Sequence, residues 1–506
     1  MTKRVQGLAA LMALALIAPL GLYAAGNKEA AAASSANESV KTAKYVFLFI
    51  GDGMSMTQVN AAEIYTNARA NDEIKIAKLG FTQFPVSGLT TTYDYGSFIT
   101  DSASSATALA TGKKTLSGVI NMDPGKTVPY TIITEQLKAQ GWKIGVVSNV
   151  SIDHATPAAF YAKVPSRGNM YDIAVQLGDS GFDYFGGGGF AQPTGKKKDQ
   201  ADVVALAKEK GYTFINDAES FRALKAGAGK VLAVNPVLQD AAAMPYDMDR
   251  GSDELSLADF VAKGIELLDN DKGFFLMTES GKIDWACHAN DAAASINDTL
   301  AFDRAIAEAV AFYNKHPEET LIVVTGDHET GGMTLGFAGT KYATFFDKVA
   351  GQKGSFQAFN DKVLGPYKAS TPVEKARLAD LLPRIEEYFG IAYDSLAVHE
   401  KEQLERAFQR SMGNEIERAV SEEQYLLYGD YEPLTVKLTH IMNQHAGIGW
   451  TSYSHTGVPV VTFALGVGAE LFGGYYDNTD IHTKLLQLAG LSTTASAAPA
   501  AAVASR

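Results

Sequence analysis

Short apolar runs alternate with helical patterns along most of this chain, and this alternation restricts the fold more than any other feature. Apolar runs separated by amphipathic helices are typical of parallel strands joined by crossover helices that cover both faces of a sheet. The pattern predicts an α/β fold, a three-layer α/β/α sandwich with a large, mostly parallel central sheet. The predicted strands are residues 45–50, 86–93, 143–149, 274–278, 321–325 and 458–465.

Polar residues of metal-binding types follow most of these runs. Gly51-Asp52-Gly53 follows the first run, Glu279 follows the fourth, and Gly326-Asp327-His328-Glu329 follows the fifth. The segment Asp153-His154-Ala155-Thr156 follows the third run across a short loop. Ligands of open α/β sheets bind outside the carboxyl ends of the strands. We therefore expect these segments to meet at one edge of the sheet.

A stretch of small residues, 100–112, contains Asp101-Ser102 near its start and ends in glycine. The composition predicts a helix with Ser102 in its first turn. Free backbone N–H groups and the helix dipole favour anions at that position, including a serine alkoxide or a phosphoryl group. The alternative is an ordinary Asp/Ser N-cap on a close-packed helix. The stretch by itself leaves both interpretations open.

Charge and cysteine content restrict the partners and the metal ligands. The 506 residues carry a formal net charge of −13 without a local stripe of Lys and Arg, so we expect no nucleic-acid-binding surface. The single cysteine, Cys287, excludes an intramolecular disulfide and a multi-thiolate zinc site. Any metal ion must therefore be held by His, Asp and Glu.

Three local patterns suggest metal ligands without deciding the matter. Asp284 and His288 stand four residues apart, so they share one face of a helix, although an ordinary surface contact explains the pair equally well. Asp327-His328 directly after a strand is a stronger signal, because polar groups at a buried strand end need partners. His455 precedes a predicted strand, where a hydrogen-bonded loop histidine is the simpler interpretation.

Other candidates are weaker. Arg167 follows the His154 segment closely enough to fold back on it, and its guanidinium matches phosphate oxygens bidentately. The run Gly186–Gly189 lacks the Gly-Lys-Ser/Thr of a phosphate-binding loop, which favours a tight, mobile turn. The remaining histidines are interpreted as surface or structural residues: His316, His399, His440, His445 and His482.

The N-terminus has the features of an export signal. Lys3 and Arg4 precede an apolar run and then small residues, which predicts a cleaved signal peptide over residues 1–26 and a periplasmic or secreted protein. An uncleaved membrane anchor is the alternative, but Pro19 and Gly21 interrupt a barely sufficient span, so we expect no stable anchor. Residues 27–43 are expected to be a flexible linker and residues 492–506 a low-complexity tail.

Together these motifs resemble one family, the alkaline phosphatases. The similarity covers roughly residues 44–340 and 446–490, and the motifs occur in the family's order. They are Phe49-Ile50-Gly51-Asp52-Gly53-Met54, Asp101-Ser102-Ala103-Ser104-Ser105-Ala106-Thr107, His154-Ala155-Thr156-Pro157-Ala158, Arg167, residues 279–288, Thr325-Gly326-Asp327-His328-Glu329 and His455-Thr456-Gly457.

The resemblance implies a role for each matching residue. It implies hydrolysis of small-molecule phosphate monoesters through a phosphoserine on Ser102, at a site with two Zn²⁺ ions and one Mg²⁺ ion, in a homodimer. Arg167 and Ser102 would be catalytic, with Asp101 and Trp285 also contacting the substrate side of the site. Trp285 replaces the lysine or histidine of other members. The implied metal ligands are Asp284, His288 and His455 for one zinc; Asp52, Asp327, His328 and Ser102 for the second; and Asp52, Glu279, Thr156 and, directly or indirectly, His154 for magnesium.

The resemblance implies one catalytic domain over residues 44–491. Residues of about 340–445 match none of these motifs and carry helical patterns dense in mixed charge, such as residues 373–388 and 400–425, which predicts an inserted helical cap with solvent-facing helices. Two other functions stay open. A phosphodiesterase, a sulfatase or a metal-dependent mutase could use a similar sheet edge, and an inactive phosphate-binding module could retain the same fold.

Overall fold

Ten strands form one central sheet in the computed structural model, which describes residues 41–68, 75–413 and 422–491. The predicted signal peptide, the predicted tail and all but the last three residues of the predicted linker lie outside the described residues. In chain order the strands of this sheet are β1 (Tyr45–Gly51), β2 (Val86–Thr91), β3 (Lys143–Ser148), β4 (Tyr184–Gly187), β5 (Tyr212–Ile215), β6 (Lys230–Val234), β7 (Phe274–Ser280), β8 (Thr320–Gly326), β13 (Val460–Gly466) and β14 (Gly474–Asp477). Two small two-stranded sheets pair β9 (Glu329–Thr330) with β12 (His455–Thr456) and β10 (Thr334–Leu335) with β11 (Ile448–Gly449).

The large sheet is mostly parallel, as predicted. Its spatial order is β14-β2-β13-β8-β1-β7-β3-β4-β6-β5, and only β13 runs antiparallel to its neighbours β2 and β8. All six predicted strands are present. Several boundaries differ by one or two residues, and one difference affects the site: β7 continues to Ser280, so Glu279 lies within the strand instead of following it.

Helices cover both faces of this sheet. In chain order, the helices of the described residues are α1 (Met56–Ala68), α2 (Ser102–Thr111), α3 (Ile133–Ala139), α4 (Ala155–Ala158), α5 (Met170–Ser180), α6 (Val203–Glu209), α7 (Ala218–Ala223), α8 (Leu257–Leu268), α9 (Lys282–His288), α10 (Ala292–Tyr313), α11 (Phe346–Val349), α12 (Phe356–Phe359), α13 (Gly365–Ser370), α14 (Leu382–Phe389), α15 (Val398–Met412), α16 (Glu422–Tyr428), α17 (Pro433–Ala446) and α18 (Asn478–Leu488).

The central strand β1 shows why the fold has three layers. All seven of its residues are buried. Val46, Leu48 and Ile50 pack into the hydrophobic cluster on one face of the sheet, whereas Tyr45, Phe47 and Phe49 pack into the cluster on the other. Successive side chains of a strand point to opposite faces. A continuous apolar run therefore indicates a strand that is covered on both sides.

The four-glycine run was interpreted wrongly. Gly186 and Gly187 end β4 and pair with β3, and all four glycines are buried. Gly187 has a φ of 122°, and a Cβ at this position would lie 1.8 Å from the carbonyl oxygen of Ser148. Gly187 is required because the β3 backbone approaches closely, so the first two glycines belong to the sheet and only Gly188 and Gly189 lie beyond the strand.

Residues 346–446 are helical and have a hydrophobic cluster of their own. Its buried members all lie between Phe359 and Met442. The expected helix over 373–388 is interrupted, since two 3₁₀ turns precede α14. The expected helix over 400–425 corresponds to α15, and residues 414–421 lie outside the described part of the chain. In the described residues, no helix is both long and apolar enough to cross a membrane.

Candidate active site

Ser102 is the first residue of α2, and its position follows from local capping. Asp101 is the N-cap: its carboxylate accepts from the backbone N–H of Ser104 at 3.0 Å, and the Ser104 hydroxyl reaches back to the Asp101 backbone. Gly112 ends the helix in the left-handed conformation. The helix is buried along its whole length, because its small side chains allow close packing. The Asp101 cap that starts the helix therefore also places Ser102 at the helix N-terminus.

The register of three central strands brings distant acidic residues to the same edge. Gly51 of β1 is paired with Ser280 of β7 on one side and with Gly326 of β8 on the other. Asp52 and Asp327 directly follow their strands, and Glu279 lies next to Ser280. The predicted convergence at the carboxyl ends of the strands is therefore confirmed.

One group of potential metal ligands contains Asp284, His288 and His455. His288 Nε2 lies 3.3 Å from Asp284 Oδ2, which agrees with the spacing of four residues on α9. His455 Nε2 lies 3.7 Å from Asp284 Oδ1 and 3.1 Å from His288 Nε2. His455 reaches the group because β12 pairs with β9, immediately after His328.

A second group contains Asp52, Asp327 and His328, and Ser102 borders it. His328 Nε2 lies 3.3 Å from Asp52 Oδ1 and 3.4 Å from Asp327 Oδ2. The Ser102 hydroxyl lies 3.2 Å from His328 Nε2 and 3.5 Å from Asp52 Oδ1. Asp52, Asp327 and His328 are completely buried.

The third group shares Asp52 with the second and adds His154 and Glu279. The Thr156 hydroxyl donates to Asp52 Oδ2 at 3.2 Å, so this threonine joins the group. His154 Nε2 accepts from the Arg167 guanidinium at 3.1 Å. The neighbouring Asp153 turns away and accepts from the backbone N–H of Ala191 at 3.0 Å.

Hydrogen bonds to the far side of two histidines fix their orientation. Nδ1 of His288 bonds to the Tyr453 carbonyl at 2.5 Å, and Nδ1 of His455 bonds to the Thr100 carbonyl at 2.8 Å. Because a carbonyl only accepts, both Nδ1 atoms carry a proton, and each ring presents a lone pair at Nε2 when it is neutral. Two lone pairs 3.1 Å apart repel each other unless a proton or a cation lies between them. The Nδ1–H bonds to backbone carbonyls are the usual arrangement of metal-binding histidines, whose other ring nitrogen faces the metal.

The acidic groups are crowded as well as buried. Burial, together with neighbouring carboxylates such as Asp284, raises the pKa of Asp327 to about 7. Burial likewise raises the pKa of Glu279 to about 7 and that of Asp52 well above its usual range. Asp327 Oδ2 and Glu279 Oε1 are buried without a hydrogen-bond partner. Buried oxygens that repel one another and lack donors fit divalent cations, so the donor set suits metal binding.

Arg167 supplies positive charge on the open side of this site. Its Nη1 donates to Asp101 Oδ2 at 2.9 Å, and its side chain is 30% exposed. Burial opposes ionisation of Asp101, but Arg167 and the bonds from Ser104 outweigh it and hold the pKa of Asp101 at about 2. The Trp285 ring meets the His154 ring edge-on at 5.8 Å between centroids. All predicted site residues thus lie in one contiguous region.

Comparison with known proteins identifies the family. A family model described as alkaline phosphatase matches residues 43–491. The chain belongs to the alkaline phosphatase family. Alkaline phosphatase 3 of Bacillus subtilis (strain 168) is 30% identical over 478 residues, which cover 92% of this chain and 94% of the relative. The repressible alkaline phosphatase of Saccharomyces cerevisiae is 28% identical over 450 residues, which cover 83% of this chain and 75% of the relative.

Solved alkaline phosphatases share the fold. The cold-active enzyme from the psychrophile Shewanella sp. has a TM-score of 0.72 and 30% identity, covering 88% of this chain and 99% of that one. The Thermus thermophilus enzyme has a TM-score of 0.75 and 26% identity, covering 89% of this chain and 92% of that one. As a member of this family, the chain is a phosphomonoesterase.

Two residues of this alkaline phosphatase site received no role from the sequence, although Glu329 is part of a matched motif. The Thr330 hydroxyl donates to Asp284 Oδ1 at 2.5 Å and lies 3.2 Å from His328 Nδ1, so it bridges two ligand groups. Glu329 accepts from Gln58 Nε2 at 2.9 Å and from the Thr456 hydroxyl, which ties α1 to the strand of His455. The only sequence signal was their position directly after Asp327-His328, since hydrogen bonds between distant segments leave no periodic pattern.

Proposed function

We propose that this alkaline phosphatase hydrolyses phosphate monoesters in two displacements at Ser102, within a site that binds two zinc ions and one magnesium ion. The observation that carries this proposal is the position of the Ser102 hydroxyl, 3.2 Å from His328 Nε2 and beside Asp52, in a buried cluster of oriented imidazoles and crowded carboxylates. Such a cluster suits phosphoryl transfer, which requires positioning and charge neutralisation above all.

The kinds of donor atom in each ligand group indicate which metal ion the group would hold. Asp284, His288 and His455 would hold one zinc, since mixed imidazole and carboxylate donors suit zinc. Asp52, Asp327, His328 and the Ser102 oxygen would hold the second. Asp52, Glu279 and Thr156 offer only oxygen, which suits magnesium, with His154 alongside. A TAB5 alkaline phosphatase variant, 26% identical with a TM-score of 0.60, is described with magnesium bound in its M3 site, which supports the third assignment.

Bound divalent ions would supply the Lewis acidity that lowers the pKa of the serine hydroxyl and neutralises phosphate charge. The chain provides the remaining functions. Ser102 Oγ attacks phosphorus, the bond to the ester oxygen breaks, and the alcohol leaves with the electron pair and takes up a proton. Water then attacks the phosphoserine, which restores Ser102 and releases inorganic phosphate.

Two features of the chain orient the phosphoryl group during both displacements. The Arg167 guanidinium, held from one side by Asp101, can bind two phosphate oxygens bidentately. The N-terminus of α2 directs its dipole and free backbone N–H groups toward the same anion. Charge is thus neutralised before the reaction begins, without reorganisation of these groups.

The covalent intermediate is tested by acid-quenching the metal-loaded enzyme during turnover of a chromogenic phosphomonoester, followed by peptide mass spectrometry. We expect the mass of one phosphoryl group on the Ser102 peptide. Ser102→Ala should lose activity by about 10³-fold or more and lose the modification. Ser105→Ala is the matched control, because the Ser105 hydroxyl is already bonded to the Asp327 carbonyl at 2.7 Å. Full activity in Ser102→Ala would refute the mechanism.

The metal assignment is tested by measuring bound metals in purified, active protein. We expect two zinc equivalents and one magnesium equivalent per chain. Fewer than two transition-metal equivalents in fully active enzyme would contradict the two-zinc proposal. Comparing a phosphomonoester, a phosphodiester and a sulfate ester tests substrate class, and we expect the monoester to be preferred because Arg167 and the helix N-terminus match a dianionic group.

We further propose that the protein is exported after cleavage of residues 1–26, acts as a homodimer, and carries residues of about 340–445 as an inserted cap on the catalytic domain 44–491. The N-terminal sequence pattern supports export, and the separate hydrophobic cluster of residues 359–442 supports the cap. N-terminal sequencing of the mature protein tests cleavage, and light scattering tests the oligomeric state.

A further inference from the structure

Lys282 is completely buried beside the site, yet it belongs to none of the ligand groups. It is the first residue of α9, the helix that carries Asp284, Trp285 and His288. Burying an ammonium group costs free energy unless the charge is paired and hydrogen-bonded. A lysine at this position therefore needs a physical explanation.

The Lys282 ammonium group contacts the segment 239–246 and the Trp285 ring of its own helix. Its Nζ donates to Asp240 Oδ1 at 2.7 Å and lies 3.5 Å from Gln239 Oε1. The same atom lies 3.8 Å from the centroid of the Tyr246 ring and 4.9 Å from that of Trp285. A cation within about 6 Å of a ring centroid is attracted by the π face, and the attraction is larger where water is excluded. Lys282 thus ties the Trp285 indole to the segment 239–246.

The partner carboxylate is held by a strained turn. Ala241 and Ala242, directly after Asp240, have φ angles of 48° and 61°, in the left-handed region that residues with a Cβ avoid. The turn is fixed from outside, because the Ala242 carbonyl accepts from Gly189 N at 2.8 Å. Strain of this kind persists only where the surroundings enforce it. Asp240 is therefore presented to Lys282 in a fixed position.

Contacts continue from Trp285 toward Arg167, the residue proposed to bind phosphate. The indole meets the His154 ring edge-on at 5.8 Å. His154 Nε2 accepts from Arg167 Nη2 at 3.1 Å. Arg167 Nη1 donates to Asp101 Oδ2 at 2.9 Å, at the start of the helix that carries Ser102. An unbroken series of contacts therefore joins the buried ion pair to the guanidinium.

We propose that Lys282 is a positioning residue for phosphate binding, which holds the Trp285 indole by a cation–π contact and thereby fixes His154 and Arg167. The inference rests on the proposed function, in which Arg167 binds the phosphoryl group. Trp285 brings no charge to the site. The fixed cation lies behind the indole and stabilises one orientation of the ring, which in turn limits the orientations open to the guanidinium.

The experiment measures the Kd of inorganic phosphate by calorimetry on the metal-loaded enzyme, together with the emission of Trp285. That emission is taken as the difference between each protein and the same protein carrying Trp285→Leu, since the chain has three tryptophans. We expect Lys282→Met to weaken phosphate binding by about two- to tenfold and to shift the Trp285 emission. Lys282→Arg, which keeps the charge, should restore most of both. In the Trp285→Leu background, Lys282→Met should have no further effect on the Kd.

Lys263→Met is the matched control, because Lys263 is also buried and pairs with Glu266 at 2.6 Å on α8. It should leave phosphate affinity and Trp285 emission unchanged. If Lys282→Met does not fold, Asp240→Asn tests the same ion pair and should weaken phosphate binding in the same direction. Wild-type affinity and emission in Lys282→Met, or an equal loss of affinity with and without Trp285, would overturn the inference. Failure of the wild-type enzyme to bind phosphate would instead refute the proposed function.

Discussion

The Thr330 hydroxyl donates a hydrogen bond to the Asp284 carboxylate at 2.5 Å. The same oxygen lies 3.2 Å from His328 Nδ1, so one side chain contacts ligands of both proposed zinc sites. It accepts from His328 while donating to Asp284, which leaves His328 Nε2 free to face Ser102. A single threonine therefore sets the orientation of a carboxylate in one group and of an imidazole in the other.

Replacing this threonine by valine should weaken zinc binding. Thr330→Val keeps the shape of the side chain but removes the hydroxyl, and loss of an outer-sphere partner lowers metal affinity by about 10- to 100-fold. Zinc affinity, measured by competition with a chelator, checks this prediction. Thr330→Ser retains the hydroxyl and should stay close to wild type; equal affinity in the valine and serine variants would contradict the role assigned to the hydrogen bonds.

Arg167→Lys should lower phosphate affinity although the charge is kept. Lysine cannot bond to Asp101 and to two phosphate oxygens in one plane. A charge-assisted hydrogen bond contributes about 1.5–3 kcal/mol, so we expect inhibition by inorganic phosphate to weaken by about tenfold or more, with KM rising in parallel. Arg304→Lys is the control, because Arg304 pairs with Asp247 at 2.6 Å on a half-exposed surface. Unchanged inhibition in Arg167→Lys would show that this guanidinium does not bind phosphate.

Metal removal should make stability strongly dependent on pH. In the metal-free chain, burial raises the pKa values of Glu279 and Asp327 to about 7. A carboxyl group whose folded pKa is raised contributes stability that is present below its ordinary pKa and is lost as the pH rises through about 7. We expect the free energy of unfolding in a chelator to fall between about pH 4 and pH 7, because each of the two groups loses about 1.4 kcal/mol per pH unit over that range. Denaturant unfolding with and without zinc and magnesium checks this; equal pH dependence in both states would contradict it.

Gly187→Ala should destabilise the sheet severely. The new Cβ would lie 1.8 Å from the Ser148 carbonyl oxygen, and the φ of 122° is unfavourable for alanine. Separating β4 from β3 should cost about 3 kcal/mol or more. Gly227→Ala serves as the control, since its φ of 88° is also positive but its Cβ would meet no atom within 4 Å. Urea unfolding distinguishes the two, and equal midpoints would mean that close approach of the β3 backbone is unimportant.

The strand-adjacent residues were predictable because their signals are local. The apolar runs of β1, β7 and β8 and the polar residues at their ends stand together in the chain, and the rule for parallel sheets places those ends at one edge. The spacing of four residues between Asp284 and His288 likewise needs only the helical period. The order of the motifs then indicates the family, and with it most residues of the candidate site.

What the sequence alone determined is which residue types stand at the ends of strands and at the start of the Ser102 helix. Only the tertiary structure decided that Thr330 bridges two ligand groups, that the Lys282 ammonium group lies against the Trp285 ring, and that Gly186 and Gly187 join the sheet. These relationships join segments that are far apart in the chain, and their free energy depends on burial and on exact hydrogen-bond direction. Burial and hydrogen-bond direction produce no periodic pattern in the sequence, because both arise only when the segments pack together.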